Sequence, residues 1–600
     1  MTKITTRLGL SAAATASLGI LLGTSSALVP TPDSMAHSQT PATSGFAASC
    51  TPEFVQAAAS GLGSAITIKP IKDSMFKGAT NYVAAKGTRP AFCQVTGSFV
   101  TNPETGKTSN FLASFPSNWN GKYLQLGCSG HCGQFYVSDP AMPSVTVTAQ
   151  GHPGQIIEKG YATFATDEGH EGLDSASWAV KNGKVDQDYV DDFLYRADKV
   201  LARLGKNFTT AFYGRVNGAK TQISHSYFEG CSGGGRDAMV AASYFPEEFD
   251  GIIAGSPYDI WGVSFHGTAI GKATSRSAGS VLTPGLLSLM DNVVKKQCDA
   301  LDGVKDGLIQ NPAACNFDPE RDLPKCGPGS TPGQCFTPEQ IETVAVTVNA
   351  VTDERGNIVQ PGYSVSELGV LGGGTAMLSD PVHEIFVHKN DPGFKAASMV
   401  TFRRGGPGPV TGFHAVVPAA EVAAARAALL PGIGTLPENT ARLMNSKTKL
   451  LMWHNYSDER LTPYMSVNWY NQLARRHGGF DKVQQQVRLF MLPGTAHCSI
   501  VSSAPNSFDP ITALEGWVEK GHAPESLPAW VADRQYTPGG PKALALKTPN
   551  YTMPLCKYPE MARYSGKGDV QDKKNWSCSP SDKRLLTVGT SGRQAGLMMK

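Results

Sequence analysis

The stretch "SHSYFEGCSGGGRDAMVAASYF" (residues 224–245) decides the fold of this chain. Its opening "SHSYFEG" (224–230) reads as a strand and its close "RDAMVAASYF" (236–245) as the helix that follows. Between them Gly230-Cys231-Ser232-Gly233-Gly234 satisfies the G-x-S-x-G pattern. A tight strand-to-helix turn forces strained dihedrals, glycines remove the side chains that would clash, and the serine hydroxyl projects above the sheet. A phosphate-binding loop fits less well, because no Lys-Ser/Thr pair follows the glycines. Ser232 is therefore read as a nucleophile, with the Gly233 amide as an oxyanion donor.

Working outward, "KYLQLG" (122–127), "YATFAT" (161–166) and "FDGIIAGSP" (249–257) read as buried strands, and "VDDFLYRADKVLARLG" (190–205) has apolar residues at helical spacing. Strand signals return at "KLLMWH" (449–454) and "VRLFMLPG" (487–494). Strands alternating with helices predict a mainly parallel α/β sheet. From 261 to 435 the pattern degrades into Gly, Pro and short polar clusters, which predicts a large lid inserted before the acid-bearing strand. The hydrolase core then comprises 28–260 and 436–600. The tail "VGTSGRQAGLMMK" reads as frayed.

Length, 600 residues, allows more than one simple core, and 41% apolar with 17% charged residues is ordinary for a globular protein. A net charge of +3 without a Lys/Arg run gives no nucleic-acid footprint. Residues 1–27 place Lys3 and Arg7 ahead of an apolar stretch and end on small residues at Ser25 and Ala27, as a secretory signal peptide does. The apolar stretch is about 15 residues, short for a bilayer span, and no later segment reads as membrane-spanning. The expected location is secreted or periplasmic. Twelve cysteines without a CxxC pair then predict disulfides rather than a zinc ribbon.

A serine nucleophile needs a base, and the base an orienter. In α/β-hydrolases these follow in the order Ser, acid, His on loops after later strands. "KLLMWHNYSDERL" supplies Asp458 and "VRLFMLPGTAHCS" supplies His497, in that order. Glu459 stands beside the acid, His454 within the strand reads as a packed core histidine, and His170 in "TDEGHEG" is a rival that precedes the serine. Cys231 precedes the nucleophile and Cys498 follows the base. If Ser232 and His497 meet, their chain neighbours come to about 5.5–6 Å between α-carbons, which is disulfide distance.

Gly-Cys-Ser-x-Gly-Gly-Arg with a later His-Cys resembles the tannase and feruloyl esterase family, and "YATFATDEGH", "DGIIAGSP" and "YPEMARYSGKGDV" (558–570) extend the likeness from Cys50 to about Cys578. The resemblance implies pairs Cys50–Cys93, Cys298–Cys315, Cys326–Cys335 and Cys556–Cys578, leaving Cys128 and Cys132 to each other. It also implies that the "GCSGHCG" loop supplies an oxyanion amide from Gly127 or Cys128, although this loop is less glycine-rich than the family's.

"CDALDGVKDGLI" (298–309) places carboxylates at Asp299, Asp302 and Asp306 on a glycine-bearing turn, a hard-oxygen set suited to calcium but without EF-hand spacing. Read alone, it fits a metal-free Asp/Gly turn equally well. The resemblance implies a structural calcium held by these carboxylates with the Val304 and Leu308 carbonyls. The lid offers Phe386, Phe394, Phe402 and Phe413 with Arg403 and Arg404, as an acyl pocket or as the lid's own core. The expected activity is a serine esterase acting on esters of small aromatic carboxylic acids, feruloyl esterase-like, without an organic cofactor. Tannase or terephthalate monoester hydrolase activity is the runner-up, and a calcium-stabilised secreted binding module the non-enzyme alternative. Oligomeric state is not legible.

Overall fold

The computed structural model describes residues 43–72, 76–135, 153–172, 178–366, 382–391, 393–429, 437–499, 504–531, 551–579 and 588–598. The signal peptide expected over 1–27 lies outside them. Among the described residues, eight strands of the main sheet come first: β1 (Ile66–Ile68), β2 (Thr80–Val83), β3 (Phe92–Asn102), β4 (Lys107–Pro116), β5 (Lys122–Leu126), β6 (Ala162–Thr166), β7 (His225–Cys231) and β8 (Gly251–Gly255). The insertion adds β9 (Val351–Asp353), β10 (Ile358–Gln360), β11 (Thr401–Arg404) and β12 (Phe413–Val417). β13 (Lys449–Asn455) and β14 (Val487–Leu492) complete the main sheet.

That sheet has ten strands in the order β1-β3-β4-β6-β5-β7-β8-β13-β14, with β2 also pairing with β3. From β6 to β14 every pairing is parallel, and β1 to β4 form an antiparallel flank. This is an α/β-hydrolase-type fold. Side chains of the parallel strands divide by period two. Ile252, Ala254, Leu450 and Met452 enter one core cluster, whereas Ile253, Leu451, Trp453 and Phe490 enter the cluster on the opposite face. Burial on both faces explains why these strands read as unbroken apolar runs.

Helix α1 (Ala197–Asn217) packs on one face, α2 (Gly233–Tyr244) follows β7, and α3 (Ile260–Thr274) leads from β8 into the insertion. There the small sheet β10-β9-β12-β11 forms, with helix Pro338–Val348 on β12, and α4 (Val382–Phe386) packs on α3 and against α5 (Ala419–Ala428). Residues Thr43–Lys600 make one compact unit that includes the insertion. Among the described residues no helix is long and apolar enough to cross a membrane.

The tail corrects an expectation. Residues 588–598 are ordered against the insertion and core: the Gly589 amide donates to Ala313 O (2.8 Å), the Ser591 hydroxyl to Cys315 O (2.8 Å), and Asn468 Nδ2 to Gly596 O (3.0 Å). A glycine- and serine-rich composition reads as loose, but here small residues are what allow the backbone to approach this closely.

Candidate active site

The ends of β7, β8, β13 and β14 lie side by side in parallel register, so the loops that leave them share one edge of the sheet. Ser232 sits at the end of β7 with φ 64° and ψ −119°, strained for a side chain-bearing residue. Its amide donates to Gly255 O and its carbonyl accepts from Arg236 N and Tyr258 N, each at 3.0 Å. These bonds hold the turn against its strain. A Cβ on Gly235 would stand 2.1 Å from Gly255 O, and one on Gly234 would stand 2.7 Å from Cys128 O, so the glycines after the serine are steric requirements. Among the described residues, five of the six non-glycine residues with positive φ (Cys132, Glu168, Ser232, Ser256 and Cys498) border this edge. Strain is concentrated where the fold is positioned for chemistry.

Asp458 follows β13 and is fully buried. Its Oδ1 accepts from the amides of Arg460 (3.0 Å) and Leu461 (2.8 Å), and its Oδ2 from His497 Nδ1 at 2.8 Å. Burial works to raise this carboxyl, but His497 and His454 hold it well below the ordinary carboxylate range. His454 is a packed core residue whose Nδ1 meets Ser466 Oγ at 2.8 Å, and its Nε2 also reaches Asp458 Oδ2 at 3.3 Å. Glu459 takes a different part: its Oε2 accepts from the His497 amide at 3.1 Å, holding the backbone of the base rather than its ring. Ser256, Asn455 and Thr495 link the loops in series, at 2.9 and 2.6 Å.

Cys231 and Cys498 are bonded, with α-carbons 6.1 Å apart, tying the loop of Ser232 to that of His497. The other five expected pairs are also present. No hydrogen bond joins the Ser232 hydroxyl to His497 Nε2 among the described residues, where that nitrogen lies 3.6 Å from Cys498 Sγ. Such contacts commonly tighten only when substrate is bound.

The oxyanion loop differs from expectation. The Gly127 amide donates to Glu229 O at 2.8 Å as part of the sheet, which removes it as an oxyanion donor. The Cys128 amide faces the Asp237 carboxyl and its carbonyl accepts from Gly234 N at 2.8 Å. The loop continues over the elbow until Gly130 O lies 2.3 Å from where a Gly233 Cβ would be. His131 Nε2 meets Tyr258 Oη at 3.0 Å.

Beneath this loop is a buried group that sequence reasoning missed. Arg236 Nη2 lies 2.7 Å from Asp237 Oδ1 and 3.2 Å from Glu168 Oε2, and Gln125 Nε2 donates to Asp198 Oδ1 at 2.8 Å. Glu168, Asp198 and Asp237 bring carboxylate oxygens within 4.8 Å of one another. Burial pushes all three carboxyls up, and Arg236 opposes it. The legible signal was an adjacent Arg-Asp pair in an otherwise apolar helix. His170 is buried beside His131 of this loop, stacked on Trp178 with centroids 4.1 Å apart, and does not join Asp458.

In the acidic loop, Asp299, Asp302 and Asp306 accept from the amides of Gly307, Val304 and Leu308 at 3.0–3.1 Å. Asp302 Oδ2 is buried without a partner, and burial, with Asp306 and Asp299 nearby, pushes Asp302 up to about 7. An orphaned buried carboxylate oxygen among like charges suits a hard cation, although the three carboxylates are not gathered within 4.8 Å of one another. The lid phenylalanines pack within the insertion: Phe402 stacks on Phe413 (5.7 Å), Phe394 lies on His388, and Arg404 pairs with Glu320.

Comparison with known proteins agrees with this geometry. A family model described as "Tannase and feruloyl esterase" matches residues 93–579. A probable feruloyl esterase of Arthroderma benhamiae is 30% identical over 480 residues, covering 77% of this chain and 81% of its own. A mono(2-hydroxyethyl) terephthalate hydrolase of Piscinibacter sakaiensis is 25% identical, over 85% and 88% of the two chains. The crystal structure of feruloyl esterase B from Aspergillus oryzae superposes with a TM-score of 0.66 at 23% identity, covering 83% of this chain and 96% of that one, and so supports the fold.

Proposed function

From the membership of this chain in the tannase and feruloyl esterase family, which makes it a carboxylic ester hydrolase, we propose a secreted or periplasmic serine esterase acting on esters of small aromatic carboxylic acids. The observation that carries the mechanism is the union of a strained Ser232 with the His497–Asp458 pair through the Cys231–Cys498 bond. Ser232 Oγ attacks the ester carbonyl carbon and its proton passes to His497 Nε2. Asp458 holds Nδ1–H, so that Nε2 presents its lone pair, and stabilises the imidazolium. The Gly233 amide at the start of α2 holds the oxyanion, and Gly127 and Cys128, whose amides are engaged with Glu229 O and the Asp237 carboxyl, do not supply the second donor. Collapse expels the alcohol, which takes the proton from His497. Water then gives a proton to His497 as it attacks the acyl-enzyme, and the acid leaves as Ser232 regains its hydrogen.

Six disulfides support an oxidising location. Asp299, Asp302 and Asp306, with the Val304 and Leu308 carbonyls, would hold a calcium ion whose part is structural, since it lies in the insertion. The aromatic acyl preference rests on the names of the relatives. The test is turnover of methyl ferulate, methyl gallate, a terephthalate monoester and a butyrate ester by wild type and Ser232→Ala. The variant should lose at least ~10³-fold, and a serine-directed phosphonate should label Ser232 alone. Normal turnover by the variant refutes the mechanism, and a preference for butyrate over all three aromatic esters refutes the substrate class.

A further inference from the structure

His383 and His388, in "HEIFVH" around α4, both direct Nε2 at one oxygen of Glu421 on α5, at 2.9 and 2.8 Å. The three atoms lie within 4.8 Å of one another. Neither imidazole is free to turn. His388 stacks on Phe394 with centroids 3.5 Å apart and planes 10° from parallel. His383 is fully buried between ring edges of Trp261 (5.8 Å) and Phe265 (5.2 Å), both on α3. His383 Nδ1 has no partner, so the one polar contact that aims this ring is at Nε2. Among the described residues the two imidazoles are the only ionisable partners given to Glu421.

We propose that His383, His388 and Glu421 form a site for a zinc-class divalent transition ion that clamps α4 to α5 in the insertion. Two imidazoles and a carboxylate are a donor set that zinc accepts with a fourth position left to water. The set is unlike the aspartate loop, because imidazole nitrogen suits zinc, copper, iron and nickel whereas calcium takes oxygen. Ligands about 2.1 Å from a tetrahedral ion stand roughly 3.4 Å apart, so the observed contacts need to open by about half an ångström. Side-chain exposures of 24% at His388 and 20% at Glu421 leave a path for the ion and its water. Binding replaces the Nε2–H···Oε2 hydrogen bonds by metal–ligand bonds: each imidazole gives its Nε2 hydrogen to water and coordinates in neutral form with hydrogen on Nδ1, and no redox change is involved.

The test uses the untagged, calcium-loaded full chain, titrated with cobalt(II) and then zinc. Wild type should bind one cobalt per chain with visible ligand-field bands that zinc abolishes. His388→Gln and Glu421→Gln, the latter keeping the side chain's size and an acceptor oxygen, should each weaken binding at least ~10-fold while retaining wild-type circular dichroism and esterase activity. In parallel, diethyl pyrocarbonate should modify His388 in the metal-free chain and spare it when zinc is present, which needs no variant. Absence of a zinc-reversible cobalt spectrum in wild type, equal binding by a folded variant, or equal modification of His388 with and without zinc would each overturn the proposal.

Discussion

Replacing Asp458 with asparagine tests the mechanism at a single atom. Asp458 Oδ1 is committed to the amides of Arg460 and Leu461, and two N–H donors there leave no place for an NH₂ group. The asparagine carbonyl must therefore occupy the Oδ1 position and its NH₂ the Oδ2 position, 2.8 Å from His497 Nδ1. A donor at that point selects the His497 tautomer with a lone pair on Nδ1 and hydrogen on Nε2, which cannot accept the serine proton. His454 Nε2, 3.3 Å from the Oδ2 position, favours the flipped amide, and the two backbone amide donors at Oδ1 outweigh that single contact. Loss of the productive tautomer costs about 10⁴ in kcat, or ~5.5 kcal/mol of transition-state stabilisation. The packing is isosteric, so the fold should survive. The assay is kcat on methyl ferulate, with ¹⁵N spectra of His497 reporting which nitrogen carries hydrogen. A variant retaining a tenth of wild-type kcat, or one whose His497 keeps Nδ1–H, would refute the reasoning.

Removing both Cys231 and Cys498 as serines should cost ~2–5 kcal/mol of stability and lower kcat as well, because the bond joins the Ser232 loop to the His497 loop; unchanged kcat in a destabilised variant would separate the bond from catalysis. Calcium removal should lower Tm and recalcification restore it, since an ion bound only by the native state stabilises it, and a Tm insensitive to chelator in wild type but not attributable to residual calcium by elemental analysis would remove the ion from the acidic loop. Asp167, fully buried, is pushed up to about 7 by burial against the opposing amides of Gly169 and Asn110. Its folded-state value therefore exceeds the unfolded one, the native state binds the extra proton between about pH 4 and 7, and stability falls as pH rises through that window. Urea unfolding of wild type against Asp167→Asn should show the wild type losing up to roughly 4 kcal/mol relative to the variant from pH 4 to 8; a difference that is flat or grows the other way would contradict the assignment.

The strained turn at Ser232, the parallel strands and the Asp458–His497 pairing were legible because each depends on local chemistry. Glycines after Ser232 are needed wherever that turn is made, and β8, β13 and β14 carry apolar runs because both faces are covered. The β3–β4 hairpin also carries a period of two, with Cys93, Val95 and Phe99 alternating with Gln94, Thr96 and Ser98, but burial of the polar face too made it no ordinary amphipathic pair. The insertion's strands, three to five residues long, are too short to carry a period at all.

What the tertiary structure alone decided is which polar groups are already taken. Gly127 and Gly233 look alike as backbone donors along the chain, but Gly127 is spent on Glu229 because it continues β5 beside β7. Glu459 and Asp458 are neighbours of the same charge, and only the path of the loop gives one to the imidazole of His497 and the other to its amide. Glu168, Asp198 and Asp237 come from β6's end, α1 and α2, and His383, His388 and Glu421 from α4, the turn after it and α5. Local sequence determines what a residue can donate or accept, but burial leaves each group only the partners that distant segments bring to it.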